Sequence, residues 1–461
     1  MNMKTLVLSG SVRSTQNNLD RLDCLAQDAS SREALCRSIE KDLDSGATYC
    51  NSDILTAVAL LAMYREGAHP KVFSLASLFR RFDTTVADES CLDNMNILAD
   101  KQEELCGNVI ESDGLLLVTP VYFGDRSSVA NKLLQIASRS SLFNNKIFGC
   151  ASVGAKRNGG QETTVIYCLL EALKHGALII GNGPPTAQYG GTAVGGHRGT
   201  VVRDDWGIAT TYGVASRVVQ LARIYQSGLD VSGGTRLRVL ILVTSDNSAR
   251  SLLNLLQEYT KALNLQDRNV EFVVFDTLKH KIYRCIGCKS CPPDGAKSNA
   301  DTLSLANHAQ CTIKNDSDGI QAVHEELIQA DAVLVAGINI KDAGDITYRY
   351  QVLVERTRYI RRDNFEMTNK LFGSFTLHEV GAQSNSLHFV KTVTSYIRHN
   401  VALAKPIDVY MHDDRIIVHD EQNFKEFITK AKSLKFGRTC LHFQAPEYVT
   451  AGIGGYDPDE Q

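Results

Sequence analysis

Three landmarks recur in the same order along this chain, and together they constrain its fold more tightly than any other feature. The apolar run Met3-Lys-Thr-Leu-Val-Leu-Ser-Gly10, ending in a small polar loop, is repeated by Leu237-Arg-Val-Leu-Ile-Leu-Val-Thr-Ser245. Ile110-Glu-Ser-Asp-Gly-Leu-Leu-Leu-Val-Thr119 is echoed by Ile328-Gln-Ala-Asp-Ala-Val-Leu-Val-Ala336, and Asn145-Lys-Ile-Phe-Gly149 returns as Asn369-Lys-Leu-Phe-Gly373. The offset is roughly 220–230 residues each time, and three matches in order indicate a tandem repeat. Each landmark also carries a near-continuous apolar run of strand length. Such runs, alternating with amphipathic helical stretches, belong to parallel strands covered on both faces.

In the second half the order reads strand 237–244, helix 248–263, strand 270–276, a cysteine segment, helix 318–329, strand 331–338, helix 347–361, strand 370–377, helix 384–400 and strand 405–411. Five βα units of this kind predict a doubly wound sheet. The fold class expected is therefore α/β, with two tandem flavodoxin-like, doubly wound, five-stranded parallel sheets. The small-residue stretch Gln226–Gly234, after a helix over 208–225, marks the seam. It sets the domains at 1–228 and 235–461. Beyond 412 a short polar hairpin, Asp413–Asp420, and one more helix are expected, followed by an acidic tail.

Composition narrows the function classes. The chain has 461 residues, 43% hydrophobic and 22% charged, with a net charge of -3. There is no basic field for nucleic acid, and no apolar run approaches the ~18 residues of a membrane span. The first ten residues read as a strand rather than a secretory leader. Twelve cysteines at this length imply no disulfide scaffold, and a reducing, cytoplasmic setting is expected.

Four loops of the first half carry the chemistry. Ser9-Gly-Ser-Val-Arg-Ser-Thr-Gln-Asn-Asn18 closes onto a helix N-terminus and offers N–H and O–H donors to a phosphate. Capping of the helix is the plain alternative. Val118-Thr-Pro-Val-Tyr-Phe-Gly124 follows a buried strand, at the carboxyl edge where such folds bind ligands. Ser152–Thr164 and Tyr189–Gly199 are glycine-rich loops, the latter with His197 and Arg198. Together these resemble the NAD(P)H-dependent FMN reductase and quinone reductase branch of the flavodoxin-like superfamily. The first loop is similar to its G-S-x-R-x-x-x-N signature, the second to T-P-x-Y-[FWH]-G, and Gly159-Gly-Gln-Glu-Thr163 to G-G-Q-E; Asp205-Trp-Gly-Ile208 matches a D-x-G-I segment. The likeness covers most of 3–228 and departs at roughly 25–105, where extra helical sequence replaces a compact connection. By that resemblance Ser11, Arg13, Asn17 and Asn18 hold the FMN phosphate. Pro120, Val121, Tyr122, Phe123 and Gly124 border the isoalloxazine, and Gly154, Gly159, Gly160, Gln161 and Glu162 line its far edge. No catalytic acid or base is assigned, because the cofactor carries hydride transfer. His197 could serve a quinone oxygen, against the ordinary alternative of a solvated loop histidine.

In the second half the equivalent loops have lost their glycine, proline and tyrosine, which argues against a second FMN. Cysteines stand there instead. Cys285, Cys288 and Cys291 lie at C-x2-C-x2-C spacing, with Cys311 about twenty residues on. Four thiolates suit a [4Fe–4S] cluster or a tetrahedral zinc ion, and His280 and His308 are close enough in sequence to join the latter. The segment resembles the cysteine insert of the iron–sulfur flavoproteins, with a longer spacer before the last cysteine. Relic or redox-active thiols are the remaining alternative.

The expected activity is FMN-dependent NAD(P)H oxidation, an iron–sulfur cluster relaying electrons to a quinone, a flavin or a partner protein. The alternative is a non-enzymatic electron-transfer flavoprotein serving a redox enzyme. Partners are a nicotinamide nucleotide and a small-molecule or protein acceptor, without nucleic acid or membrane span. The two halves would form a pseudo-dimer, and a homo-oligomer stays open.

Overall fold

The computed structural model describes residues 3–79, 98–184, 186–229, 234–245, 249–288, 311, 313, 317–341, 347–361, 366–382, 386–413 and 415–442. The chain divides into two compact units, Met1–Arg223 and Ile224–Gln461.

Unit 1 runs β1 (Lys4–Ser9), α1 (Gln16–Asp28), α2 (Arg32–Asp44), α3 (Asn51–Arg65), β2 (His69–Ser74), α4 (Ala99–Glu111), β3 (Gly114–Pro120), α5 (Ser128–Ser140), β4 (Ile147–Gly154), α6 (Gln161–Lys174), β5 (Leu178–Ile179), β6 (Gly191–Val194) and α7 (Asp205–Ser227), whose last turn crosses into unit 2. Its strands are parallel in the order β2-β1-β3-β4-β5. β6 pairs with the carboxyl half of β4, so β5 and β6 act as one interrupted fifth strand. Every residue of β4 is buried, as the unbroken apolar run requires of a strand covered on both faces.

Unit 2 runs β7 (Leu237–Val243), α8 (Ala249–Gln266), β8 (Val270–Asp276), α9 (Ile320–Gln329), β9 (Ala332–Asn339), α10 (Tyr348–Arg356), α11 (Arg358–Arg361), β10 (Leu371–Glu379), α12 (His388–Tyr396), β11 (Ala402–Leu403), β12 (Ile407–His412), β13 (Arg415–Val418) and α13 (Glu421–Cys440). The order is β8-β7-β9-β10-β11, with β12 continuing beside β10 and β13 turning back on it antiparallel. The 2-1-3-4-5 order of a doubly wound α/β sheet therefore occurs in each unit. Among the described residues no helix is long and apolar enough to cross a membrane.

The repeated landmarks do the same mechanical work in both units. Asp113 and Asp331 each accept from the backbone N–H at the start of the first strand, Lys4 at 3.0 Å and Arg238 at 2.8 Å. Lys146 donates to the Ile110 and Ser112 carbonyls at the end of α4, and Lys370 to those of Leu327 and Ile328 at the end of α9. A lysine there satisfies helix C-terminal acceptors and the negative end of the helix dipole. Asn145 and Asn369 both sit at φ +60. A Cβ added to Gly149 would lie 2.8 Å from Val214 of α7, and one on Gly373 2.9 Å from Phe427 of α13.

The described part of 25–105 includes α2 and α3. Ser52–Met63 of α3 is buried throughout. A helix without a polar face belongs inside, and α3 lies against β1, β2, β3 and β4 with α1 packed on it.

Candidate functional site

The first loop is held down from its neighbours. Gly10 N donates to Val118 O at 2.7 Å, and a Cβ on Gly10 would meet Ala130 Cβ at 3.0 Å. Ser127 Oγ donates to Gly10 O and also caps α5, accepting from Ala130 N. Within the loop, buried Ser11 accepts from Arg13 N through Oγ (3.2 Å) and from Ser14 N through its carbonyl (3.1 Å). Thr15 caps α1 by accepting from Asn18 N. These bonds leave the backbone N–H groups of Ser11, Val12, Gln16 and Asn17 without an acceptor among the described residues. Unsatisfied donors where a strand meets a helix N-terminus form an anion site. Arg13 and Asn17 are exposed beside them, and Asn18 is half-buried.

The second loop leaves β3 at Pro120, and Val121 N donates to Val153 O at 2.9 Å. Tyr122 and Asp125 exchange backbone bonds of 2.7 and 3.0 Å around Phe123 (φ +52) and Gly124 (φ +79). Two left-handed central residues define a type I′ turn, in which a phenylalanine costs about 1 kcal/mol over glycine. The turn displays Phe123 fully to solvent, with Tyr122 and Val12 also exposed. Arg126 anchors it, bonding Asn131 of α5 and pairing with Glu171 of α6.

The third loop touches the second. Gly160 has φ +99, and a Cβ there would sit 2.8 Å from Gly124 Cα. Gln161, expected to meet the flavin, is buried; its Nε2 donates to Lys156 O at 2.7 Å and Ala193 O at 3.2 Å. It braces the third loop against the fourth, and Gly154 leaves room for its amide. Gly159 packs on the Lys156 carbonyl, and Glu162 is exposed in the first turn of α6. In the fourth loop Gly195 N donates to Gly154 O at 2.9 Å, and Asp204 accepts from Val194 N and pairs with Arg157. His197 and Arg198 are exposed.

Two residues that sequence reading passed over join this edge from the start of α3. Asn51 Nδ2 donates to Gly195 O (3.0 Å) and His197 O (2.9 Å), while its Oδ1 accepts from Val201 N (3.4 Å). Asp53 is fully buried and accepts from Cys50 N at 3.1 Å. The only signal was a helix-start pattern, Asn51-Ser-Asp53, about forty residues beyond the first loop and far from the fourth.

Comparison with known proteins identifies the chain. The family model described as NADPH-dependent FMN reductase matches residues 3–183. An iron–sulfur flavoprotein of Methanocaldococcus jannaschii is 32% identical over 178 residues, 38% of this chain and 91% of that protein. The chain belongs to the NADPH-dependent FMN reductase family. It is an NAD(P)H-dependent flavin oxidoreductase. An iron–sulfur flavoprotein of Methanosarcina thermophila is 26% identical over 99 residues, 21% of this chain and 50% of that protein. Among solved structures, a flavodoxin, WrbA-like protein from Agrobacterium tumefaciens aligns at 15% identity and TM-score 0.27, over 48% of this chain and 98% of that one. The unit 1 edge fits FMN: it combines acceptor-free N–H groups, a glycine contact between loops, and exposed aromatic rings.

The same edge of unit 2 of this reductase is built on the same plan and filled differently. Thr244 N donates to Ala336 O at 2.9 Å, as Gly10 does to Val118. Thr347 caps α10 and donates to Thr244 O at 2.7 Å, as Ser127 does to Gly10. Beside them stand buried His388, against Gly337, and His378, within 3.0 Å of Asp408 and 3.2 Å of Asn339. The cysteine excursion after β8 is cinched at its base. Gly319 N donates to Lys281 O at 2.8 Å, and buried Arg356 donates to Tyr283 O and Asp318 Oδ2, both at 2.6 Å. Cys311 lies next to Arg356; Cys285, Cys288 and Cys311 are half-buried, and Cys291 lies outside the described residues. Among the described residues no three His, Cys, Asp or Glu side chains are gathered closely enough to hold a metal ion.

Proposed function

We propose that unit 1 binds FMN across the carboxyl ends of β1, β3 and β4, and that NAD(P)H reduces it for delivery to a quinone, a free flavin or a partner protein. The observation that carries this reading is the set of acceptor-free N–H groups at Ser11, Val12, Gln16 and Asn17, facing a family match over the same residues. Those donors, with Arg13, Asn17 and Asn18, receive the phosphate. Pro120–Gly124 and Gly154–Glu162 border the ring, Gln161 acting from behind as the brace of its loop. Bound FMN supplies the hydride acceptor. The chain's own residues bind, orient and shield it, and none is assigned a proton transfer. Flavin quantitation on the purified protein and steady-state NAD(P)H oxidation with a quinone or free flavin test the reading. Stoichiometric FMN without turnover would turn it into the electron-transfer alternative, and failure to bind FMN would remove it.

Two further parts belong to this proposal. The matched Asp, Asn-Lys and Gly positions support a duplication dividing the chain into domains at 1–228 and 235–461. A [4Fe–4S] cluster on Cys285, Cys288, Cys291 and Cys311 is supported by ligand spacing and by what the two curated relatives are called. Anaerobic purification should then yield about four irons per chain, and Cys288→Ser should remove iron while leaving FMN bound. A reducing, cytoplasmic setting is part of the same proposal.

A further inference from the structure

Beneath the first loop lies a buried polar cluster that the flavin reading leaves unused. Asp53 belongs to α3. Its carboxyl reaches back to Cys50 N, the reciprocal half of a capping arrangement. Capping carboxylates ordinarily sit at the surface, whereas Asp53 has no exposure at all. Its Oδ1 has no hydrogen-bond partner among the described residues, and neither has Ser9 Oγ or Ser14 Oγ, both also buried. The two serines flank the loop from the end of β1 to the start of α1. Their hydroxyls approach the carboxyl closely enough to stabilise its charge, without reaching hydrogen-bond geometry. Ser11 approaches the Cys50 thiol in the same way. Each unsatisfied buried polar group costs about 1–3 kcal/mol, so three beneath one loop mark a place completed in another state.

The charge balance identifies that state. The groups acting on Asp53 are the hydroxyls of Ser9 and Ser14 and the N–H and thiol of Cys50. The titratable neighbours are Cys50, on its own helix, and Tyr49, just before it. Burial drives the thiol up to about 12 and the phenol higher still, so both stay neutral. Arg13, on the loop, is exposed rather than directed at the carboxyl. An ionised Asp53 would face a phosphate dianion across one turn of backbone in a poorly screened interior. Burial already pushes this carboxyl above its ordinary 3.8.

We propose that Asp53 is a positioning residue for the phosphate end of the flavin, and that the loop takes a phosphate dianion with a proton held on Asp53 beneath it. The proton comes from solvent. As a neutral acid, Asp53 donates its O–H to a serine hydroxyl and closes the cluster while the loop's outer N–H groups bind the phosphate. The inference rests on the FMN reading, and the experiment separates the two. Apoprotein is titrated with FMN and with riboflavin, which lacks the phosphate, from about pH 7 to about pH 9.5, above the second phosphate ionisation near 6. FMN affinity of the wild type should fall about tenfold over that range while riboflavin affinity stays level. Asp53→Asn, isosteric and neutral, should bind FMN without this decline. Calorimetry of the wild type in two buffers of different ionisation enthalpy should register uptake of up to about one proton per FMN and none for riboflavin. Level FMN binding in the wild type, a D53N variant that keeps the wild-type decline, or no proton uptake would each overturn the proposal. A wild-type protein that binds riboflavin and FMN equally tightly and without proton uptake would overturn it while leaving a flavin site standing. One that binds neither overturns both readings.

Discussion

The two units share a frame and differ at the edge where ligands bind. Asp113 and Asp331, Lys146 and Lys370, Gly149 and Gly373 occupy matching places and make matching contacts. Even the bond from the first loop to the next strand is preserved, Gly10 N to Val118 O and Thr244 N to Ala336 O. At the carboxyl edge unit 1 keeps backbone donors open, whereas unit 2 has buried His378 and His388. The frame residues satisfy helix ends and strand starts, a need that any parallel sheet of this order has. The edge residues serve no such general need, so they are free to diverge. Recognition of the fold and recognition of a ligand therefore rest on different residues.

The sharpest way to break the comparison is the neck of the cysteine excursion, for which unit 1 shows no counterpart among its described residues. Arg356→Met leaves Asp318 buried without its cation and Tyr283 O without its donor. A loss of about 3–5 kcal/mol is expected for a broken buried ion pair. It should be read as a lowered denaturation midpoint; an unchanged midpoint would mean that the neck is held by the backbone alone.

Next comes a pair of glycines in the loops after β4 and β10. Gly160→Ala must strain a φ of +99 and push against Gly124 Cα at 2.8 Å, whereas Gly381, at φ +91, has nothing within 4 Å among the described residues. The first change should cost about 2–4 kcal/mol and weaken FMN binding, the second about 1 kcal/mol from backbone strain alone. Equal costs would show that the contact between loops adds nothing.

The smallest difference concerns the matched lysines. Burial lowers Lys370 from 10.5 to about 7, its first cause, helped by Arg438 and Lys435; Lys146, only partly buried, is lowered less. A lysine depressed in the folded state binds fewer protons there than in the unfolded chain, so its contribution to stability grows as pH rises between the two values. Unfolding of unit 2 should thus require more denaturant at pH 10 than at about pH 7. Lys370→Met should flatten that slope, and Lys146→Met should alter it little. A slope unaffected by K370M would place the titration elsewhere.

Much of the frame was legible from the chain. The strands at 237–243, 270–276 and 332–339 lie within a residue or two of the positions their apolar runs predict, because burial on both faces leaves an uninterrupted signature. The hairpin after 412 and the closing helix followed from polar turn residues and helical spacing. Gln161 was legible as part of the site, but its orientation was not, since a motif fixes neighbours in sequence and says nothing of which way an amide turns. Asn51 and Asp53 were hidden for a different reason. Their helix read as an insertion outside the motif, and only packing of α3 beneath β1 carries them to the first and fourth loops.

By itself, then, the sequence determined the strand order's ingredients, the recurring landmarks, the four loops and the family they resemble. Those follow from short-range rules: apolar runs that must be buried, small residues that allow a tight turn, helix starts that need a cap. Only the tertiary structure decided that a carboxyl forty residues away lies under the first loop, and that Arg356 ties together the two ends of the cysteine segment. Both are contacts across long stretches of chain, set by which helix the sheet accepts on which face, and no local pattern records that choice.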